Sequence, residues 1–269
     1  MDIAAFALTT IGLLALLASL PTLWRICSLP DFHNRAWCTL LVLVMGFVMG
    51  YLGYLWMILG HEVTQLELVV AAIFGGGGGF VYLVTKLSAN TIRRLLDTLR
   101  EKRFQAEHDL LTGLPNRNAY YQKFDQLLQE AKPFACMIMD LNDFKIINDT
   151  YGHHIGDRVL QETCNRLLSL TPSSALCARL GGDEFAMLLP GFTAQSAREL
   201  CQQIHFQLKQ DICFDGLRVA VGTSIGISQY PRDADDKKQL MKFADIAMYH
   251  AKRMEQHTAI FTPELTLQT

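Results

Sequence analysis

The chain of 269 residues sets 24 Lys and Arg against 26 Asp and Glu, a net charge of −2, which excludes a broad basic surface for nucleic acid. Half of its residues are apolar and only 19% are charged, too apolar for one soluble domain of ordinary composition. Seven cysteines, an odd count with no C-x-x-C pair, argue against a disulfide framework or zinc ribbon and read as small apolar residues kept reduced in the cytosol.

The apolar excess is local. Between Ala4 and Thr85 the only charged residues are Arg25, Arg35, Asp31, Glu62 and Glu67. Three runs, Ala4–Trp24, Ala36–Leu59 and Leu66–Thr85, each reach the roughly 20 residues that a helix needs to cross a hydrocarbon core. The first lacks the basic leading segment of a signal peptide, so it reads as a span. Arg25 and Arg35 flank the first loop, "HEVTQ" in the second has no Lys or Arg, and Lys86, Arg93, Arg94, Arg100, Lys102 and Arg103 follow the third run. That asymmetry predicts three spans with the amino terminus outside and the remainder in the cytoplasm. "GGGGG", Gly75 to Gly79, interrupts the third run; no Gly-Lys-Ser/Thr follows it, so it reads as a helix-packing or hinge site and not as a phosphate loop.

Residues 86–107 continue as a helix. Ile92, Leu95, Leu96, Leu99 and Ala106 recur at three- and four-residue steps, a stripe suited to pairing with a second copy of the chain. The chain thus divides into a membrane part over residues 1–85, a linking stalk over 86–107 and a soluble domain over 108–269. In the soluble part "FACMIMDL" (134–141) reads as a buried strand, "GDRVLQETCNRLLSL" (156–170) as a helix, and "ALCARL" with "EFAMLL" as a hairpin. "AQSARELCQQIHFQLK" (194–209) is a second helix, "RVAVGTSIGISQY" (218–230) one long strand, and "KKQLMKFADIAMYHAKRM" (237–254) the last helix. Hairpins mixed with helical crossovers predict an α+β domain whose antiparallel or mixed sheet carries helices on one face. No G-x-G-x-x-G follows a strand, which disfavours a Rossmann fold.

The chemistry gathers at two places. Asp140 ends the buried strand, and Asp183 and Glu184 leave the Gly181-Gly182 turn of the hairpin. A carboxylate in such a position is costly unless paired, and two of them side by side ionise together only with a compensating cation. A divalent ion held with a nucleotide's phosphates supplies that compensation.

Together "RLGGDEF", "DLNDFKIINDTYGHHIGD", "HDLLTGLPNR", "TSIGIS" and "ADIAMYHAK" make residues 108–261 resemble the GGDEF family of diguanylate cyclases, which condense two GTP into cyclic di-GMP. The resemblance implies a ferredoxin-like nucleotidyl-cyclase palm, a mostly antiparallel central sheet with surrounding helices, preceded here by an all-α three-span membrane bundle. It implies Mg²⁺, with Mn²⁺ as an alternative, held by Asp140, Asp183, Glu184 and the Leu141 carbonyl. Asp183 and Glu184 are the implied catalytic carboxylates. Lys145 and Lys252 match phosphate contacts, and Asn148 and Asp157 match the guanine readers. Asp109, Asn116 and Arg117 would cap the first helix and brace the domain, and Arg179 would brace the hairpin or a neighbouring chain. The implied partners are GTP, a second copy meeting this one through the stalk and the facing catalytic domains, and membrane lipid, with no nucleic acid. The implied location is the inner membrane of a bacterium, with several spans and a cytoplasmic catalytic domain.

Three positions depart from the family pattern. Asn142 replaces a frequent Asp. "AKRMEQH" stands where the family reads A-K-x-x-G-R-N, so Glu255 and Gln256 replace Gly and Arg. Loss of that arginine fork removes a charge-assisted contact worth roughly 1.5–3 kcal/mol. "PSSA" (172–175) lacks the Arg-x-x-Asp of a product-inhibition site. The alternative function is a degenerate domain that senses GTP or binds a partner without catalysis.

Overall fold

A computed structural model describes residues 3–28, 35–60, 62–214 and 216–267. The first predicted loop, at 29–34, and His61 of the second lie outside the described residues. Two compact units divide the chain, residues 1–100 and 101–269, and the division falls inside one unbroken helix.

In the first unit the three apolar runs become α1 (Ile3–Cys27), α2 (Arg35–Ile58) and the first part of α3 (Gln65–Glu107). All three are long and apolar enough to cross a membrane. The glycine run packs and does not hinge, since α3 stays helical through it. A Cβ on Gly78 would lie 2.1 Å from the Gly12 carbonyl oxygen, so only glycine permits α1 and α3 to approach so closely. Tyr51 closes the same contact by donating its hydroxyl to the Phe74 carbonyl at 2.5 Å.

The second unit is built on a five-stranded sheet. Its strands are β1 (Phe134–Asn142), β2 (Leu176–Gly181), β3 (Glu184–Pro190), β6 (Gly222–Tyr230) and β7 (Thr258–Ile260), in the order β2-β3-β1-β6-β7. All pairs are antiparallel except β6 with β7. The predicted long strand 218–230 is broken: β5 (Leu217–Val219) pairs instead with β4 (Ile212–Phe214), and β6 starts only at Gly222.

Helices cover both faces of the sheet, where alternation of elements suggested one. Odd-numbered β1 residues, from Ala135 to Leu141, pack against α6 (His153–Leu170) and α7 (Ala194–Leu208) through Val159, Cys164, Cys201 and Ile204. Even-numbered Phe134, Cys136 and Ile138 face α4 (Arg117–Glu130) and α8 (Lys237–Arg253) through Phe124, Leu240 and Ala244. A strand buried on both sides reads as a continuous apolar run, which "FACMIM" is. The helix starts are chemically marked. Asn116 accepts from the amides of Asn118 and Ala119, Thr193 and Ser196 form a reciprocal capping box, and Asp236 accepts from the Gln239 amide. A short helix, α5 (Phe144–Tyr151), follows β1 directly, reached through Asp143 at φ 57°.

Candidate functional site

The site grows from the end of β1. Alternation turns Asp140 to the same side as Ile138, toward α8, and Glu184 lies directly across from it on β3. Asp183 occupies the turn itself. Its backbone carbonyl accepts from the Leu141 amide at 3.2 Å, which ties the hairpin to the tip of β1. The turn needs Gly182, whose φ of 54° is left-handed. Arg179 holds the Gly182 carbonyl through two N–H groups, at 3.0 and 2.7 Å. Its third contact is Asp109 Oδ1 at 2.9 Å, so this arginine braces the hairpin from within its own chain. Burial alone would raise the Asp109 carboxyl, but hydrogen bonds from Thr112 and Arg179 outweigh it and hold the group below the ordinary range.

Charge is dense around this tip. Burial first, then the Asp140 charge, push the Asp183 carboxyl above the ordinary range. Glu184 is raised by burial; Arg117, 3.5 Å away, opposes the shift while Asp140, Asp245 and Asp183 add to it. Asp245 on α8 is raised by burial and by Asp140. The counter-charge is Lys252, whose ammonium donates to Asp140 Oδ1. Asp245 was not anticipated from the sequence. It stands two helical turns before Lys252, and that spacing puts both on one face of α8.

Beside Lys252 opens a cleft of about 260 Å³, lined by Asn142, Asp143, Ser224, Gln256 and His257, with Glu255 on its wall. Neither Ser224 nor His257 was anticipated. Ser224 is held by its hydroxyl donating to Asn142 Oδ1 at 2.9 Å. Glu255 has φ 53°, a left-handed conformation at the end of α8 that a side chain resists. Lys145 stands exposed in the first turn of α5 and is not among the residues that line this cleft.

At the α5–α6 corner Asn148 lies against Gly156, the residue before Asp157. Gly156, next to Asp157, leaves no room for a side chain: a Cβ there would sit 1.9 Å from Asn148 Oδ1 and 3.2 Å from Phe144 Cζ. The glycine therefore fixes where the Asn148 amide rests.

Among the described residues no three His, Cys, Asp or Glu side chains form a ready-made metal cage. The donors at the tip are instead two electrostatically coupled carboxylates and the neighbouring backbone carbonyl of Leu141. Such a hard-oxygen set fits Mg²⁺, which takes one or two carboxylates and completes its shell with phosphate oxygens and water.

Residues 106–258 match a family described as "Diguanylate cyclase, GGDEF domain". The diguanylate cyclase TpbB of Pseudomonas aeruginosa is 39% identical over 166 residues, which are 60% of this chain and 38% of that protein. The bifunctional diguanylate cyclase/cyclic di-GMP phosphodiesterase MucR of the same organism is 35% identical over 211 residues, 77% of this chain and 30% of its own. This chain therefore spans only about a third of the length of these relatives. A solved GGDEF domain of TpbB superposes with a TM-score of 0.58 at 36% identity, covering 60% of this chain and 99% of that one. The coiled coil and GGDEF domain of DgcB from Caulobacter crescentus, solved with c-di-GMP, gives 0.59 at 26% identity, covering 66% and 98%.

Proposed function

The chain belongs to the GGDEF family of diguanylate cyclases, and from that premise we propose that it is itself an active cyclase, joining two GTP into cyclic di-GMP with loss of two pyrophosphates. The observation that carries this reading is the convergence of Asp140 and Asp183, coupled in charge, beside Lys252 and a polar cleft.

Each domain would hold one GTP. Asn148 and Asp157 are assigned to the guanine edge, where a carboxylate accepts N–H groups that adenine does not offer in that arrangement. Lys252 and the backbone amides around Asn142 to Lys145 are assigned to the phosphates, and the Lys145 ammonium, exposed outside the cleft, would have to swing in from α5 to join them. Binding of the triphosphate then requires Lys252 to give up its contact with Asp140. Asp140, Asp183 and the Leu141 carbonyl would hold Mg²⁺, Glu184 contributing from the adjacent strand position; family members generally use that ion, and when bound it neutralises charge developing on the phosphates. Asp183 is assigned to take the proton of the attacking 3′-hydroxyl. One domain binds one nucleotide, so ring closure needs a second copy facing the first. Positioning of the two supplies about 7–11 kcal/mol in favourable cases. The three apolar helices would anchor the enzyme in a bacterial inner membrane, with residues 86–107 as the dimerising stalk.

The full-length chain in lipid nanodiscs, given GTP and Mg²⁺, should release cyclic di-GMP, and Asp183→Ala should release none. A second reading, a GTP-sensing module without turnover, is favoured by Glu255 and Gln256 in the wall of the cleft. Tight GTP binding by the unaltered chain with no product would decide for it.

A further inference from the structure

The first unit holds a cleft that neither catalysis nor helix packing explains. It is about 430 Å³ and opens between the end of α1 and the face of α3 that follows the apolar run. Arg25 stands on one wall, Arg93 and Arg100 on the other, with Ile26, Ile92 and Leu96 behind them. Ile26 is buried and the other two are half-buried, so the guanidinium groups rim a floor that water does not cover freely.

The charges do not cancel. Asp97 also lines the cleft, but its carboxylate lies 3.7 Å from Arg100 and engages that residue. Among the described residues no ion pair involves Arg25 or Arg93. Two unpaired guanidiniums beside apolar carbon match an anion that carries hydrocarbon. The depth agrees. The close approach of Gly12 to Gly75 and Gly78 sets the helices side by side; Arg25 lies thirteen residues beyond Gly12, and Ala89, which lines the same cleft, lies fourteen beyond Gly75 and eleven beyond Gly78, so both fall just past the end of the apolar runs. Trp24, exposed and adjacent, is the kind of residue that rests at a headgroup boundary.

We propose that this cleft binds the phosphate of one anionic phospholipid, such as phosphatidylglycerol, between Arg25 and Arg93, with the glycerol and first acyl carbons against Ile26, Ile92 and Leu96. A consequence follows for the stalk. Ile92 and Leu96 belong to the lipid site, which leaves Leu95, Leu99 and Ala106, all exposed, as the stripe residues available for pairing with a second copy. Lipid occupancy would thereby set the rotation of the helix that leads into the cytoplasmic unit.

The inference rests on α1 to α3 being membrane helices, which alkaline extraction of membranes tests separately. The direct test is native mass spectrometry of the full-length chain in detergent with phosphatidylglycerol or phosphatidylcholine of the same acyl chains. The unaltered protein should retain one phosphatidylglycerol at least tenfold better than phosphatidylcholine. The double variant Arg25→Gln/Arg93→Gln should lose that preference, and Arg94→Gln, outside the cleft, should keep it. Leu96→Trp, which fills the cleft and leaves every charge in place, should also cut retention and guards against misfolding of the double variant. Equal retention of the two lipids overturns the proposal. So does an equal loss in Arg94→Gln, which would mean diffuse electrostatic attraction, or displacement of the lipid by inorganic phosphate, which would mean a free-anion site.

Discussion

Gly156→Ala separates recognition from stability. The new Cβ would meet Asn148 Oδ1 at 1.9 Å, and an ordinary contact starts at about 3.4 Å, so the amide must retreat by about 1.5 Å. Retreat is easy for a half-buried side chain and costs about 0.5–1.5 kcal/mol of rotamer strain. Replacing glycine inside α6 returns about 0.5–1 kcal/mol of helix propensity. The two nearly cancel, so the melting temperature should move by no more than a few degrees. Recognition should suffer far more. An amide displaced from the guanine edge forfeits one or two hydrogen bonds in a desolvated pocket, roughly 1.5–3 kcal/mol, or a 10- to 150-fold rise in KM for GTP. The assay is product formation by the full-length chain across GTP concentrations, with inosine triphosphate in parallel. Inosine lacks the 2-amino group, so preference for GTP over it should shrink in the variant if that group is what Asn148 reads. An unchanged KM would refute the assignment of Asn148, and a large fall in melting temperature would refute the claim that the amide gives way cheaply.

Gly226→Ala should act in the opposite sense, on the fold. Its Cβ would lie 2.0 Å from the Ala244 carbonyl oxygen and 2.2 Å from the Met248 amide, backbone that cannot step aside, so α8 must lift from β6 at a cost of about 3 kcal/mol, read by thermal unfolding. Glu255→Gly should relieve about 1 kcal/mol of left-handed strain while removing a negative charge from the cleft, and should raise both melting temperature and GTP affinity. Gln256→Arg should lower the KM for GTP about tenfold if the cleft holds the triphosphate; no change would place the phosphates elsewhere. Asp183, Glu184 and Asp245 all have carboxyls raised in the folded state, so the fold binds protons that the unfolded chain has released. Stability from these groups is therefore present in acid and is lost as pH rises from the unfolded values near 4 through the raised ones. Mg²⁺ should reverse that loss, and its thermal stabilisation should be greater at about pH 7.5 than at about pH 5.

Some of this was legible because it is local. Apolar runs of span length, the continuous burial of "FACMIM" and the cap at Asn116 are written in consecutive residues. The tight Gly-Gly turn with acids after it was also visible, since left-handed φ at Gly182 is a property of one residue type. Placement of elements was less legible. The run from Arg218 to Tyr230 has strand composition throughout, yet β4 takes its first residues and β1 the rest, and nothing within the run marks the change of partner. Likewise the second helical layer became visible only when the even and odd faces of β1 were seen to pack on different helices.

The sequence by itself determined which residues bear charge, which segments are apolar enough for a membrane, and where the backbone turns, because propensity, hydropathy and glycine geometry act over a few residues. Only the tertiary structure decided that Lys252 rests on Asp140, that Asp245 joins the same acidic group, and that Gly156 and Asn148 share one space. Those facts arise from segments up to 112 residues apart, and the forces responsible fall off within a few ångströms. Chain order cannot report such a distance until packing has fixed it.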